Sequence, residues 1–344
     1  MTILKGHEHM KRLIAVLLSL CLLLALAACG GNSTETSETS GKESSSSADP
    51  SSDTSGADVS APQPDESGAD PQVSEEVSQI VEVEYFTKFD QTTSYDSDDT
   101  TIVFDGSSVT ISGVGATANG AFVTITAAGT YVVSGRSTNG QIIVEVAKTD
   151  KVRLVFNGLD LICSKSAPVW VKSADKVAVT LADGTQNYLT DGKTYVYDNS
   201  DKEPNACLFS KDDLTVNGSG SLEIKANNNN GIGTKNDLRI FSGNITVNAA
   251  KNALKGNDSV AINSGVVINI TKCKDGIKTD NTEEANKGYV YIRGGDITIT
   301  ATDDGIQATR KVTVEGGNIT VSARSNVINC DGEVTVAKDA ITEK

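Results

Sequence analysis

Histidine is nearly absent from the 344-residue chain: there are two, His7 and His9, and both precede the apolar run near the start. Everything downstream therefore lacks the parts for a Ser/His/Asp or Cys/His triad and for histidine-ligated zinc. Tryptophan occurs once, at Trp170, and aromatic residues make up only 5% of the chain, so flat platforms for stacking neutral sugars are few. Six cysteines show no CxxC spacing. Cys163, Cys207, Cys273 and Cys330 are irregularly placed and read as small buried core residues, with disulfides the alternative in an exported chain.

What is present starts with an export signal. After Met10-Lys11-Arg12 an apolar run extends from Leu13 to Ala28, long enough for a signal-peptide core and short for a membrane span. It ends in Leu26-Ala27-Ala28-Cys29, which resembles a bacterial lipobox; that resemblance implies removal of 1–28 and lipidation of Cys29. The alternative is an uncleaved anchor, and either places the remainder outside the cytoplasmic membrane. Residues 29–80 are rich in Ser, Asp and Glu, bury nothing and read as a disordered tether. Without Lys5, Lys11, Arg12 and Glu8 the chain carries 27 basic and 44 acidic residues, a balance that argues against nucleic acid as a partner.

The rest repeats itself. Asn230, Asn252, Asp275, Asp304 and Asn326 follow one another at 22, 23, 29 and 22 residues, the long step holding an insertion, Thr282 to Gly288. Two residues after each stands an apolar one: Ile232, Leu254, Ile277, Ile306, Ile328. Two further short stretches of alternating β-branched and polar residues complete each repeat, the period of half-buried strands. Three strands in about 22 residues predict an all-β fold, a right-handed parallel β-helix: a solenoid of three strands per coil whose apolar columns stack into one core. The expected divisions are a signal peptide at 1–28, the tether at 29–80, an N-terminal β cap and first coils at 81–160, and the β-helix at 161–344. A small β-sandwich is the alternative for the cap. The stretch from Asn187 to Ala206 reads as a surface excursion, and the tail after Val336 either folds over the last coil or leaves an open edge.

Several of these stretches together resemble a known family. They are SAPVWVKSADKVAVTLADGTQNYLTDG from Ser166, GSGSLEIKANNNNGI from Gly218, KDGIKTDN from Lys274 and DDGIQA from Asp303. They are similar to a bacterial carbohydrate-binding domain family of exported right-handed β-helix proteins with pectate-lyase-like architecture. The resemblance runs from about residue 85 to the end. It implies binding of cellulose and acidic, pectin-type sugars, calcium in the fold, and no established catalysis.

The recurring phrase supplies the candidate site. Neighbouring strands lie about 4.8 Å apart, so the column stacks Asp275 beside Asp304, and two such carboxylates repel unless a cation or a proton relieves them. Calcium takes oxygen ligands of this kind, and Asp280, Asn281 and Asp303 stand close enough in sequence to help Asp275 and Asp304 hold it. The competing explanation is neutralisation by Lys274 or Lys278. Lys251 and Lys274 precede the column, and Lys255 and Lys278 follow it by three residues. These four form a candidate basic strip for uronate carboxylates, or an ordinary solvated face. Trp170 with Tyr188, Tyr195 and Tyr197 is a second candidate contact surface.

Three functions remain open on these grounds. The first is a non-catalytic, monomeric cell-surface lipoprotein that binds plant-wall polysaccharide, with structural calcium. The second is a calcium-dependent polysaccharide lyase, whose chemistry abstracts a proton beside a uronate carboxylate and needs no histidine. The third is a structural or adhesion solenoid.

Overall fold

Alternation of apolar and polar residues becomes strand after strand. The computed structural model describes residues 85–197 and 200–344, all within one unit, Ser78–Lys344. The signal segment 1–28, the lipidation candidate Cys29 and the tether 29–80 lie outside the described residues. Apart from a single helical turn, Lys88–Gln91, the described elements are strands, in one sheet of sixteen and one of ten. Among the described residues no helix is long and apolar enough to cross a membrane.

The register anticipated from the repeat is found in the pairing. In the ten-stranded sheet Ile232 pairs with Leu254, Leu254 with Ile277, Ile277 with Ile306, and Ile306 with Ile328, all in parallel. In the larger sheet Leu238, Val260, Val290, Val312 and Val334 form one such row. Ile245, Ile268, Ile297 and Ile319 form another. Most of these side chains are closed off from water and meet in one apolar cluster, each aliphatic group contributing about 1.5–3 kcal/mol on burial.

The expected fold class, a right-handed parallel β-helix built as a three-strand solenoid, is corrected. The larger sheet closes on itself as six parallel strands: Lys151–Cys163, Gln186–Asp191, Ser221–Ala226, Asp237–Ala249, Asp213–Gly218 and Lys176–Leu181, the last pairing back to the first. Further strands attach to this ring. The physical reason lies in glycines that stand between the short stretches expected to be separate strands. Gly158 and Gly243, at φ of 77° and 116°, bend the chain at shifts of register while the strand itself runs on. Lys151–Cys163 and Asp237–Ala249 thus run as unbroken 13-residue strands.

The ends and the excursion differ in detail from expectation. At the N-terminal end Thr100–Asp105 pairs antiparallel with Ser108–Ser112, and Ala116–Asn119 with Phe122–Ile125, yet both pairs also join the parallel strands that follow. The start of the expected excursion is a strand, because Asn187, Leu189 and Asp191 alternate inward. The tail folds back: Ile341–Glu343 pairs with Asn318–Ala323, and Ala340 is buried at the end of the core. Cys163, Cys207 and Cys273 are free and buried and Cys330 is half-buried, so no disulfide exists among the described residues. Burial pushes the Cys273 thiol up to about 12.

The segment before the first strand straps the outside of the larger sheet. Asp90, with no exposed surface, receives Lys176 Nζ at 3.1 Å and the Thr215 hydroxyl at 2.5 Å. The Thr87 amide and hydroxyl also reach it, at 2.7 and 2.8 Å. Asn217 donates to the Asp90 carbonyl at 2.7 Å, and Arg153 donates to the Phe89 carbonyl at 3.0 Å beneath the Phe89 ring. Burial pushes the Asp90 carboxyl upward, but the Thr215 hydrogen bond, the Lys176 charge and the Thr87 contacts overrule it and hold it below the usual carboxylate range. A carboxyl held low contributes stability that is complete above its unfolded-state pKa and is lost as pH falls through the folded value. Asp90→Ala, which leaves Lys176 only Asp213 at 3.7 Å, should cost about 3 kcal/mol in denaturant unfolding at pH 7. The gap from the native protein should shrink once pH falls below the ordinary aspartate range. A gap that stays constant into acid would refute the role given to this charge.

Candidate functional site

The candidate residues lie on the ten-stranded sheet, and its register places them. The three-residue strands Leu254–Gly256, Ile277–Thr279, Ile306–Ala308 and Ile328–Cys330 each turn an aliphatic residue inward. Side chains alternate across a strand, so the next residue faces out. The outward row therefore reads Gly233, Lys255, Lys278, Gln307, Asn329. Beside it runs the Asn/Asp column. Asn230 Oδ1 accepts from the Asn252 backbone N–H at 3.2 Å, and Asn326 Nδ2 donates to Asp304 Oδ1 at 2.8 Å. Asn230, Asn252, Asp275 and Asp304 are buried, and Asn326 is exposed.

Of the candidate metal ligands, the fold brings three together. One carboxylate oxygen from each of Asp275, Asp303 and Asp304 lies within 4.8 Å of the others. Lys274 Nζ stands 3.4 Å from Asp275 and 2.8 Å from Asp303, and Lys278 Nζ stands 3.1 Å from Asp275. Lys278 also donates to Gln307 Oε1, and Asn329 Nδ2 donates to Asp304 Oδ2 at 2.7 Å. Asp280 lies at the far end of the strand Ile277–Thr279, paired with Lys255 and 3.7 Å from Lys278. Burial pushes its carboxyl up, and the Lys255 hydrogen bond with the charges of Lys255, Lys278 and Lys251 brings it below its ordinary value. The hydrogen bond from Lys274, joined by one from Ser325, lowers Asp303. Asn281 is not part of this group: it donates to Asp258 at 2.8 Å and caps the Glu283 and Glu284 amides at 3.0 Å.

The basic strip exists, but it is interleaved with the acids. Lys255, Lys274 and Lys278 are each committed to a carboxylate, whereas Lys251 is exposed and forms no ion pair among the described residues. The face is a lattice of alternating charge. The donor set suits calcium in kind: three carboxylates, with the Asn252 amide, 1% exposed and unpartnered at both polar atoms, next to Asp275 in the column. The Lys274 and Lys278 ammonium groups now stand at the oxygens that a cation would take.

Sequence reasoning missed Gln307 and Asn329, whose only signal was their place after an inward isoleucine. It also missed Glu203, which receives Lys211 at 2.8 Å and Lys235 at 2.9 Å. The second candidate surface does not form. Tyr188 lies on the larger sheet, and Tyr195 is 5% exposed with its hydroxyl donating to Asp191 at 2.6 Å. Trp170 lies on the ten-stranded sheet with Lys172 Nζ 4.7 Å from its ring centre. Beyond Gly233 the outward row continues to Phe209, which is 1% exposed. Gly233 is buried as well, so the open part of the row runs from Lys255 to Asn329.

Comparisons with known proteins agree on the broad chemistry. The model of a family described as "Carbohydrate-binding domain-containing protein" matches residues 119–343. A relative of that description from Acetivibrio thermocellus is 46% identical over 187 residues, 54% of this chain; the match spans 65% of that relative's length. A solved structure, described as "Structure of the polysaccharide lyase-like protein from C. thermocellum, Gadolinium derivative", superimposes with a TM-score of 0.69 at 44% identity, over 72% of this chain and 99% of that one.

The lattice makes the two acids on either side of Lys274 unequal. Asp275→Ala removes a carboxylate with no exposed surface from between two lysines and should cost about 2–3 kcal/mol. Asp303→Ala, at the rim, should leave the denaturation midpoint nearly unchanged. Equal effects in parallel melts would contradict this assignment.

Proposed function

The chain belongs to the family of carbohydrate-binding domain-containing proteins, and from that premise we propose that it binds an acidic, polygalacturonate-type polysaccharide along the outward row of the ten-stranded sheet without cleaving it. The observation that carries the reading is the row itself: Lys255 and Lys278 side by side in parallel register, followed by Gln307 and Asn329. Strands spaced about 4.8 Å apart present these groups at intervals close to the repeat of sugar rings in an extended chain. Uronate carboxylates would take over the ammonium groups now held by Asp275 and Asp280, and the sugar hydroxyls would meet the two amides. Cellulose, lacking the charge, would use the amides alone.

Calcium completes the proposal. With Lys274 and Lys278 drawn off by the polymer, Asp275, Asp303 and Asp304 would hold the ion, which would let an acidic protein approach an acidic glycan. The solved relative is described as a gadolinium derivative, and gadolinium is a hard, oxygen-seeking cation like calcium. We place the domain outside the cytoplasmic membrane, as a monomer tethered through Cys29 and the segment 29–80.

A lyase on the same site is the second reading, favoured by the lyase-like description of the solved relative and by Lys278 beside the acidic cluster. It would need a strong base free to take a proton. No arginine contacts Asp275, Asp303 or Asp304 among the described residues, and Lys278 is held between Asp275 and Asp280.

Retention on immobilised polygalacturonate tests the proposal. Lys255→Ala with Lys278→Ala should weaken it about tenfold or more, because two charge-assisted hydrogen bonds to the polymer are removed. Unchanged retention would remove the row from consideration, and an ultraviolet-absorbing unsaturated product would replace binding by cleavage. Calcium at about a hundred times its dissociation constant should stabilise the native chain by about 2.7 kcal/mol. It should do nothing for Asp275→Ala with Asp304→Ala; equal stabilisation of that variant would sink the metal assignment.

A further inference from the structure

A cleft of about 480 Å³ opens on the other sheet, lined by Tyr85, Tyr289, Tyr291, Asn286, Lys287 and Arg310. Its floor follows from alternation along Tyr289–Ile292: Val290 and Ile292 enter the core, so Tyr289 and Tyr291 face outward. Tyr85 lies flat on Tyr291, ring centres 3.7 Å apart and planes 12° from parallel, and meets Tyr289 edge-on at 5.9 Å. The Tyr291 hydroxyl donates to Glu315 at 2.8 Å and accepts from Arg293 at 3.2 Å, which fixes the stack. Tyr85 and Tyr289 keep part of their rings open to solvent.

The walls come from the step that breaks the repeat spacing. The insertion Thr282 to Gly288 contributes Asn286 and Lys287. It is pinned by the Asn281 caps and by Lys287, which reaches Asp258 at 2.9 Å and Glu284 at 2.7 Å. Opposite stands Arg310. Its Nη2 donates to the Thr282 carbonyl at 2.7 Å, its Nε is closed off from solvent and has no hydrogen-bond partner, and it forms no ion pair among the described residues. Lys311 beside it is matched by Glu333 at 3.1 Å.

Here an arginine without a counter-ion faces partly open tyrosine rings across a cavity of the size that holds small ligands. A guanidinium matches a carboxylate in two parallel hydrogen bonds, and a tyrosine face covers the apolar side of a sugar ring. We propose that this cleft is a second binding site, taking a single uronate unit with its carboxylate on Arg310 and its ring against Tyr289 and Tyr85. It shares with the first site the reading that the polymer is acidic, but none of its residues. On opposite sheets, the two sites would let one domain hold two chains or two stretches of one.

The test uses the full chain with labelled tyrosine rings and a soluble galacturonate trimer, read by nuclear magnetic resonance. The trimer should shift the Tyr289 and Tyr85 signals. Arg310→Met should weaken that binding about tenfold or more with an unchanged melting temperature, and Lys255→Ala with Lys278→Ala should leave it within about twofold, because the two sites share no residue. Tyrosine signals that stay still at saturating trimer, or an Arg310→Met affinity equal to the native one, would overturn the site. Equal shifts from an uncharged trisaccharide would overturn the carboxylate assignment. Loss of polymer retention in the lysine variant alone, with still tyrosines, would leave the first site standing and remove this one. Trimer binding that depends on Arg310, with retention indifferent to the lysines, would do the reverse.

Discussion

The structure depends on parallel pairing of identical positions in successive repeats. Ile232, Leu254, Ile277, Ile306 and Ile328 form one uninterrupted ladder. Because the strand period is two, a shift of one residue would expose every one of these aliphatic groups. The cost of that slip fixes the register. The register in turn fixes which polar residues become neighbours, so the candidate face follows from the core.

Electrostatics then decides what that face can be. A column of acids on parallel strands at close spacing would be unstable alone; Lys274 sits between Asp275 and Asp303, Lys278 against Asp275, and Asp304 is met by the Asn326 and Asn329 amides. On the proposed reading, the carboxylates of a charged polymer would replace the acids that each lysine now holds. The strap around Asp90 solves a similar problem on the other sheet by a different means. There the charges are sealed by chain from the N-terminal side, with Lys176, Thr215 and Asn217 meeting one aspartate and its backbone. The first arrangement stays within reach of solvent, and the second is closed to it.

Much of the ladder was legible in the amino acids because period-two alternation is a local signal repeated many times. The stacking of Asp275 by Asp304 and the grouping with Asp303 followed from counting residues. Asn281 failed as a ligand because a neighbour in sequence can turn its side chain to the insertion instead, where it caps Glu283 and Glu284. Tyr195 failed as a platform because its hydroxyl found Asp191 and took the ring inside. The sequence also suggested three short strands per repeat, whereas strands that run on through Gly158 and Gly243 belong to a closed ring of six.

By itself, the sequence determined the strand content, the aliphatic register, the exclusion of histidine chemistry and the order of acids and lysines along the face. Those depend on residue type and spacing, which the chain carries in one dimension. Only the tertiary structure decided that the lysines would be spent on the acids, that the larger sheet would close, and that Tyr85 would lie on Tyr291 from a distant part of the chain. Those outcomes depend on which groups meet in space, and contacts of that separation leave no local pattern to read.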